Sequence, residues 1–179
     1  MIIYAARHGE TPFNKEDLIC GATDLMLTER GHEQAERLAD EAEKLPALSA
    51  IIVSPMIRAQ QTAKHVSDRL HIPTVTDERL REWDYGSYEG KHRSAGGFLQ
   101  AKLDFGKRMP DGGESLFQLS HRVYSALDDI ILRYNDKNVL IVCHGGVCRV
   151  IESYFNDMTA DDFAHFFMRN CEIRKYTVK

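Results

Sequence analysis

At 179 residues and 20.4 kDa the chain has the length of a single domain, 1–179. A chain of this size hides roughly 70 % of its unfolded surface, so it builds a core without disulfide or metal staples. Apolar residues make up 43 % and charged residues 28 %, which excludes a disordered chain, and the formal net charge of −4 excludes binding to nucleic acid by bulk positive charge. Val139–Cys143 is typical of the longest wholly apolar runs, far short of the roughly 20 residues of a membrane-spanning helix, so no membrane association is expected. The start Met1-Ile2-Ile3-Tyr4-Ala5-Ala6 lacks the basic residues and long apolar stretch of a signal peptide. Cys20, Cys143, Cys148 and Cys171 form no C-x2-C pair and no dense framework. Free thiols in a reducing cytoplasm are the expectation.

Ile2–Ala6 reads as a short buried strand that delivers Arg7-His8-Gly9 at its end. Residues 8–27 read as a loop punctuated by Pro12, Asn14 and Gly21. Thr28 caps a helix whose apolar positions are Ala35, Leu38, Ala39, Ala42 and Leu45. Ala50–Val53 is a second strand, ending at Ser54-Pro55, and a helix follows with Ala59, Thr62, Ala63, Val66 and Leu70 on one face. A weaker strand at 73–77 leads into an irregular stretch, 78–114, with a short helix near 97–105. Leu116, Leu119, Val123, Leu127, Ile130 and Tyr134 mark a long amphipathic helix. Val139–Val142 has the look of a strand covered on both faces, and Gly145-Gly146 turns the chain into a helix through Val147, Val150, Ile151 and Tyr154. A short helix near 160–168 and a strand, Glu172–Val178, complete the order. This alternation predicts one three-layer α/β/α domain on a mostly parallel sheet. Ligands of such sheets bind beyond the carboxyl ends of the strands. Three motifs gather there: Arg7-His8-Gly9, Ser54-Pro55 with Arg58, and His144-Gly145-Gly146.

Two of these strands end in His followed by Gly. Glycine lets backbone N–H groups approach an anion closely, and the planar forks of Arg7 and Arg58 suit phosphate oxygens. Two imidazoles, two guanidiniums and exposed N–H groups aimed at one crevice describe a phosphoryl site without a metal ion. Singly, each is a common structural residue; their joint placement carries the reading. Glu82 is open from the residues alone, since a surface carboxylate paired with Arg79 or Arg81 accounts for it equally.

Arg7-His8-Gly9-Glu10-Thr11, with Asn14 following, resembles the signature of the histidine phosphatase superfamily, in its phosphoglycerate mutase-like branch. The resemblance continues through Cys20-Gly21 with Asp24, Leu27-Thr28 and Gly31, and through Ser54-Pro55 with Arg58-Ala59 and Gln61-Thr62-Ala63. It goes on through Leu80-Arg81-Glu82 with Gly86 and Glu89-Gly90, Gly112-Gly113-Glu114-Ser115, and Cys143-His144-Gly145-Gly146. The resemblance implies that His8 attacks phosphorus and becomes a phosphohistidine. It implies that Arg7, Arg58 and His144 hold the phosphoryl oxygens, while Asn14 and the Gly145 backbone add donors. Glu82 would give a proton to the leaving oxygen and then activate water, which requires Glu82 protonated and His8 neutral at the start. Cys20 and Gly21 match loop positions on the substrate side. No cofactor and no metal are implied, the partner is a small phosphorylated metabolite, and the state is a monomer or a homodimer.

Two other chemistries compete. Cys143 and Arg149 have the spacing of a C-x5-R phosphate loop, after a strand and before a helix, but that reading leaves Arg7, His8, Arg58 and Glu82 without a role. A metal enzyme finds no H-E-x-x-H or His/Cys ligand spacing. A phospho-ligand binding module that has lost turnover would lack His8 or Glu82. Within the resembling family, the short connection between Gly90 and Gly112 and the early end after the last strand favour a phosphatase over a mutase. The mutases carry a larger insertion and a tail that keep water from the phosphohistidine. The stretch from Lys91 to Pro110 holds Lys91, Arg93, Lys102, Lys107 and Arg108 against one acid, Asp104. It is either a patch that draws anionic substrates or a solvated face.

Overall fold

The computed structural model describes residues 1–178. Five strands, β1 (Ile2–Arg7), β2 (Leu48–Val53), β3 (Thr74–Thr76), β4 (Asn138–Cys143) and β5 (Ile173–Thr177), form one sheet in the order β3-β2-β4-β1-β5. All neighbouring pairs are parallel except β1 with β5. The period of two along each strand divides the core. On β1, Tyr4 and Ala6 face α2 (Glu29–Ala42) and α3 (Ile57–Leu70), meeting Leu38, Ala39, Ala59 and Ala63. Ile3 and Ala5 face α5 (Leu116–Arg133) and α6 (Gly145–Phe155), meeting Leu119, Val123, Val147 and Ile151. A sheet apolar on both sides is stable only between two helical layers, which is the three-layer α/β/α architecture.

The register decides where the motifs land. Ala6 pairs with Val142 and Arg7 with Cys143, so the next residue on each strand, His8 and His144, leaves the sheet side by side. Val53 pairs with Val142, which brings Ser54 to the same edge. The helices follow from their caps and apolar stripes. Thr28 accepts the Gly31 N–H at the start of α2, and Ser115 forms a reciprocal capping box with Gln118 at the start of α5.

Three details differ from expectation. The loop 8–27 contains a helical turn, α1 (Pro12–Lys15), capped by Thr11 and started by Pro12. Helix α2 stops at Ala42, so Leu45 lies beyond it, in a turn where its N–H reaches the Ala42 carbonyl. The helix expected near 160–168 ends at His165, as α7 (Ala160–His165). The short helix in the irregular stretch is α4 (Phe98–Leu103), which lies against α7 over the carboxyl end of the sheet.

Candidate active site

Beyond the carboxyl ends of β1 and β4 lies a cavity of about 260 Å³, walled by Arg7, His8, Cys20, Glu82 and Gly145 among others. His8 is buried at the tip of β1, its backbone N–H bonded to the Cys143 carbonyl at 2.9 Å. Its Nδ1 lies 2.7 Å from the Gly9 carbonyl. A carbonyl only accepts, so Nδ1 carries the proton and Nε2 keeps its lone pair. Burial, then the charges of Arg58 and Arg7, hold the imidazole well below its usual range. His8 is therefore a neutral ring with a free nucleophilic nitrogen.

Arg7 leaves the same strand end. Its Nη1 donates to the Met168 carbonyl at 2.8 Å, while Nε is buried with no hydrogen-bond partner. A buried guanidinium N–H left unpaired is costly, and an oxyanion in the cavity is the natural acceptor. Burial and Arg93 lower Arg7 to about 10, so it stays charged at neutral pH.

His144 and Arg58 lie behind His8 rather than on the cavity wall. Arg58 Nε donates to His144 Nδ1 at 3.2 Å, which leaves the His144 proton on Nε2, donated to Ser54 Oγ at 2.7 Å. The remaining arms of Arg58 hold the loop after α1: Nη1 reaches the Thr23 carbonyl and Nη2 the Gly21 carbonyl, both at 2.8 Å. Both ring nitrogens of His144 are thus taken by protein, and Arg58 keeps only its outer Nη protons for a ligand. The rings of His8 and His144 stand 5.1 Å apart, tilted by 57°. Burial and the neighbouring Arg58 keep His144 well below its usual range as well.

Glu82 is not the surface carboxylate that its basic neighbours allowed. Arg79 turns away to Asp77 and Asp129, and Glu82 is only 6 % exposed. Its Oε2 accepts the Gly146 N–H at 3.0 Å, and Oε1 accepts those of Trp83 at 2.9 Å and Val147 at 3.3 Å. The carboxylate thus caps the positive end of α6. Oε1 takes two of these N–H groups and Oε2 one, which leaves an acceptor lone pair of Oε2 free. Gly146 is required for this contact, because a Cβ there would sit 2.6 Å from Glu82 Oε1 and 3.0 Å from the Tyr85 hydroxyl.

Of the remaining expected residues, Cys20 and Gly145 are on the cavity wall, and Asn14 and Gly21 lie off it. The Cys20 Sγ stands 3.7 Å from the Thr23 carbonyl, while Gly21 is held from both sides by Arg58 and by Glu89. Asn14 spends its Oδ1 on Thr11 N–H and on Asn170 Nδ2, and its own amide protons have no partner in the protein among the described residues. Sequence reasoning missed the supports. Asn170 also donates to the His8 carbonyl at 2.9 Å. Glu89 accepts from the N–H groups of Gly21, Ala22 and Thr23. Arg122 donates to the carbonyls of Arg79, Arg81 and Glu82 while forking onto Glu114.

The thiol alternative does not survive the geometry. Cys143 is fully buried with its Sγ 3.5 Å from that of Cys148, and burial raises it well above the usual thiol range. It is not on the cavity wall, and Arg149 donates instead to the Phe166 carbonyl.

The comparisons with known proteins identify the family. The model of the histidine phosphatase superfamily (branch 1) matches residues 3–179. The chain belongs to that superfamily. A protein named "Probable phosphoglycerate mutase GpmB", from Enterobacter sp. (strain 638), is 34% identical over 180 residues, covering 97% of this chain and 83% of its own length. The solved structure of Bacillus stearothermophilus YhfR superposes with a TM-score of 0.88 at 32% identity, covering 99% of this chain and 91% of that one. The alpha-ribazole phosphatase from Shigella flexneri superposes with a TM-score of 0.84 at 26% identity, covering 100% of this chain and 91% of its own. Superfamily members of this kind are phosphoryl enzymes, and their number includes both mutase and phosphatase names. Among the described residues no helix is long and apolar enough to cross a membrane, and the four cysteines are free.

Proposed function

We propose that this chain is a phosphatase that hydrolyses small phosphomonoesters through a phosphohistidine on His8. The observation that carries the reading is the neutral His8, its Nε2 lone pair free, sharing one cavity with the unpaired Nε of Arg7 and the carboxyl of Glu82. In the first step the Nε2 lone pair forms a bond to phosphorus. The ester P–O bond breaks, and the leaving oxygen takes the proton carried on Glu82. In the second step water gives a proton to Glu82 and its oxygen bonds to phosphorus, the P–N bond breaks, and the electron pair returns to His8. Arg7 faces the growing charge on the phosphoryl oxygens, with Arg58 behind it and the Gly145 backbone amide on the wall. These positive groups take the part that a divalent ion plays elsewhere.

The name of the GpmB relative favours a second reading, transfer of the phosphoryl group back to an organic acceptor. Against it stands the modest cover over the cavity: between Gly90 and Gly112 the one helix is α4, six residues long. Water therefore competes well for the phosphohistidine. A panel of phosphomonoesters scored for released phosphate tests this, with His8→Ala protein as the blank and EDTA-dialysed enzyme in parallel. Release should be lost by about a thousand-fold or more in the variant and be indifferent to EDTA. The phosphoryl group trapped on protein should survive alkali but not acid. Interconversion of monophosphoglycerates outrunning phosphate release would instead establish the mutase.

A further inference from the structure

The sheet ends before His8 is secured. Arg7 pairs with Cys143 in the last rung between β1 and β4, and Ala6 with Ile173 in the last rung between β1 and β5. Beyond those rungs each buried backbone N–H and carbonyl still needs a partner. The Arg7 carbonyl takes the Cys171 N–H at 2.9 Å. The peptide that joins His8 to Gly9 is paired instead by side chains from two distant elements. Asn170, in the turn before β5, donates from Nδ2 to the His8 carbonyl at 2.9 Å, and the Gly9 N–H donates to Thr62 Oγ1 of α3 at 3.0 Å.

Chemistry settles the direction of each bond. Thr62 is fully buried and gives its hydroxyl proton to the Arg58 carbonyl at 2.7 Å, so its oxygen is left to accept from Gly9. A carbonyl only accepts, so the edge that Asn170 turns to His8 is its NH2. The second proton of that group goes to Asn14 Oδ1 at 3.1 Å. The turn that presents Asn170 is itself fixed. Arg169 N–H donates to Glu172 Oε2 at 2.8 Å, and Cys171 stands at a φ of 60°, in the left-handed region that a residue other than glycine enters at a cost. Strain of this kind persists only where the surrounding contacts hold it.

The effect reaches the ring through one carbonyl. Rotation of the His8–Gly9 peptide would swing the Gly9 carbonyl, which lies 2.7 Å from His8 Nδ1 and keeps the proton there. Gly9 has no slack in which to move, since a Cβ on it would stand 2.5 Å from the Gly31 carbonyl oxygen. We infer that Asn170 and Thr62 are positioning residues for the reaction, a clamp that fixes the His8–Gly9 peptide and through it the tautomer and orientation of the His8 ring. The inference rests on the reading of His8 as the nucleophile. Neither residue lies on the cavity wall, so each acts through the backbone.

The test compares Asn170→Ala, Thr62→Val and Thr62→Ser with Asn138→Ala. Asn138 accepts the Ile2 N–H at 3.0 Å, at the far end of β1, so its loss weakens the same strand without touching the clamp. In Asn170→Ala and Thr62→Val kcat should fall about ten-fold or more, with KM moved about three-fold or less. Thr62→Ser keeps the hydroxyl and should restore most of the rate. Asn138→Ala should lower the urea midpoint and leave kcat within about two-fold of wild type. Nitrogen NMR of the imidazoles, with His8→Ala protein to assign the His8 signals, gives a readout that needs no turnover. In the wild type, Thr62→Ser and Asn138→Ala the His8 proton should sit on Nδ1. In Asn170→Ala and Thr62→Val a measurable fraction should move to Nε2. Should Thr62→Val fail to fold, Asn170→Ala, at a half-buried position, decides alone. A tautomer unchanged in the clamp variants would overturn the clamp, whatever becomes of kcat, and so would a loss of rate that Asn138→Ala shares. Wild-type protein that releases no phosphate would remove the phosphatase reading and leave the NMR comparison to decide the clamp. Phosphate release with the tautomer unchanged in the clamp variants would do the reverse.

Discussion

A single proton placement organises the chemistry at the level of residues. Because Gly9 offers only a carbonyl to Nδ1, the tautomer of His8, the proposed nucleophile, is set before any substrate arrives, and burial beside two guanidiniums favours the unprotonated ring. A ring whose pKa lies well below 6.5 stays competent as pH falls through the range where free histidine is lost. The acid limb of kcat/KM, corrected for titration of the ester itself, should therefore lie well below the 6.5 of a free imidazole, and a limb centred near 6.5 would show that the ring is not so held. Glu82 gives a second test. If its Oε2 carries the proton for the leaving oxygen, Glu82→Gln should slow alkyl phosphates about a hundred-fold or more and aryl phosphates much less, since a phenoxide leaves unaided. Equal losses on both would mean that Glu82 acts chiefly as the cap of α6.

Between elements, the site depends on struts that reach across the fold. Arg122, on α5, grips the carbonyls of Arg79, Arg81 and Glu82 and locks itself onto Glu114 with two bonds of 2.7 and 2.8 Å. Arg122→Ala should cost about 3 kcal/mol in urea unfolding, because it leaves a half-buried carboxylate unpaired and several carbonyls unsatisfied. It should also lower kcat, as Glu82 loses its backbone anchor. Arg122→Lys should restore little, since an ammonium cannot fork onto a carboxylate and three carbonyls at once. These struts mark the limit of what the chain reveals unfolded. The motifs at the ends of β1, β2 and β4 were legible because apolar runs announce strands and the chemistry follows each run directly. Parallel strands then align those ends without further information. Arg122 with Glu82, or Glu89 with Gly21, join residues 40 and 68 positions apart, and no local pattern records such a pairing. The turn α1 was missed for another reason: Thr11 and Pro12 announce a helix start, but four residues are too few to show a helical period. The basic run 91–110 was ambiguous in sequence because its composition says nothing of direction. Only folding turns Arg93 and Lys102 inward and Lys107 outward.

At the scale of the whole molecule, the same two histidines that serve the site tie its chemistry to its stability. His8 and His144 are buried in the native state with pKa values well below 6.5, while in the unfolded chain they titrate near that value. Below pH 6.5 the unfolded state therefore binds more protons than the native one, and stability falls as pH falls. The contribution is fully present above 6.5 and is lost as pH drops toward the native values. For the two rings together the slope approaches roughly 3 kcal/mol per pH unit. That is a large part of the 5–15 kcal/mol typical of a domain. Asp77, also shifted downward, adds nothing in this window, because both of its states stay ionised until pH nears 4. Trp83, the only tryptophan and fully buried, reports unfolding directly. Urea midpoints at pH 7.5, 6.5 and 5.5 should decline, most steeply over the last unit. If the folded site takes inorganic phosphate, as proposed, phosphate at a hundred times its Kd should recover about 2.7 kcal/mol. Midpoints that stay level between pH 6.5 and 5.5 would mean that the two rings accept protons in the folded protein, and the neutral nucleophile would fall with them.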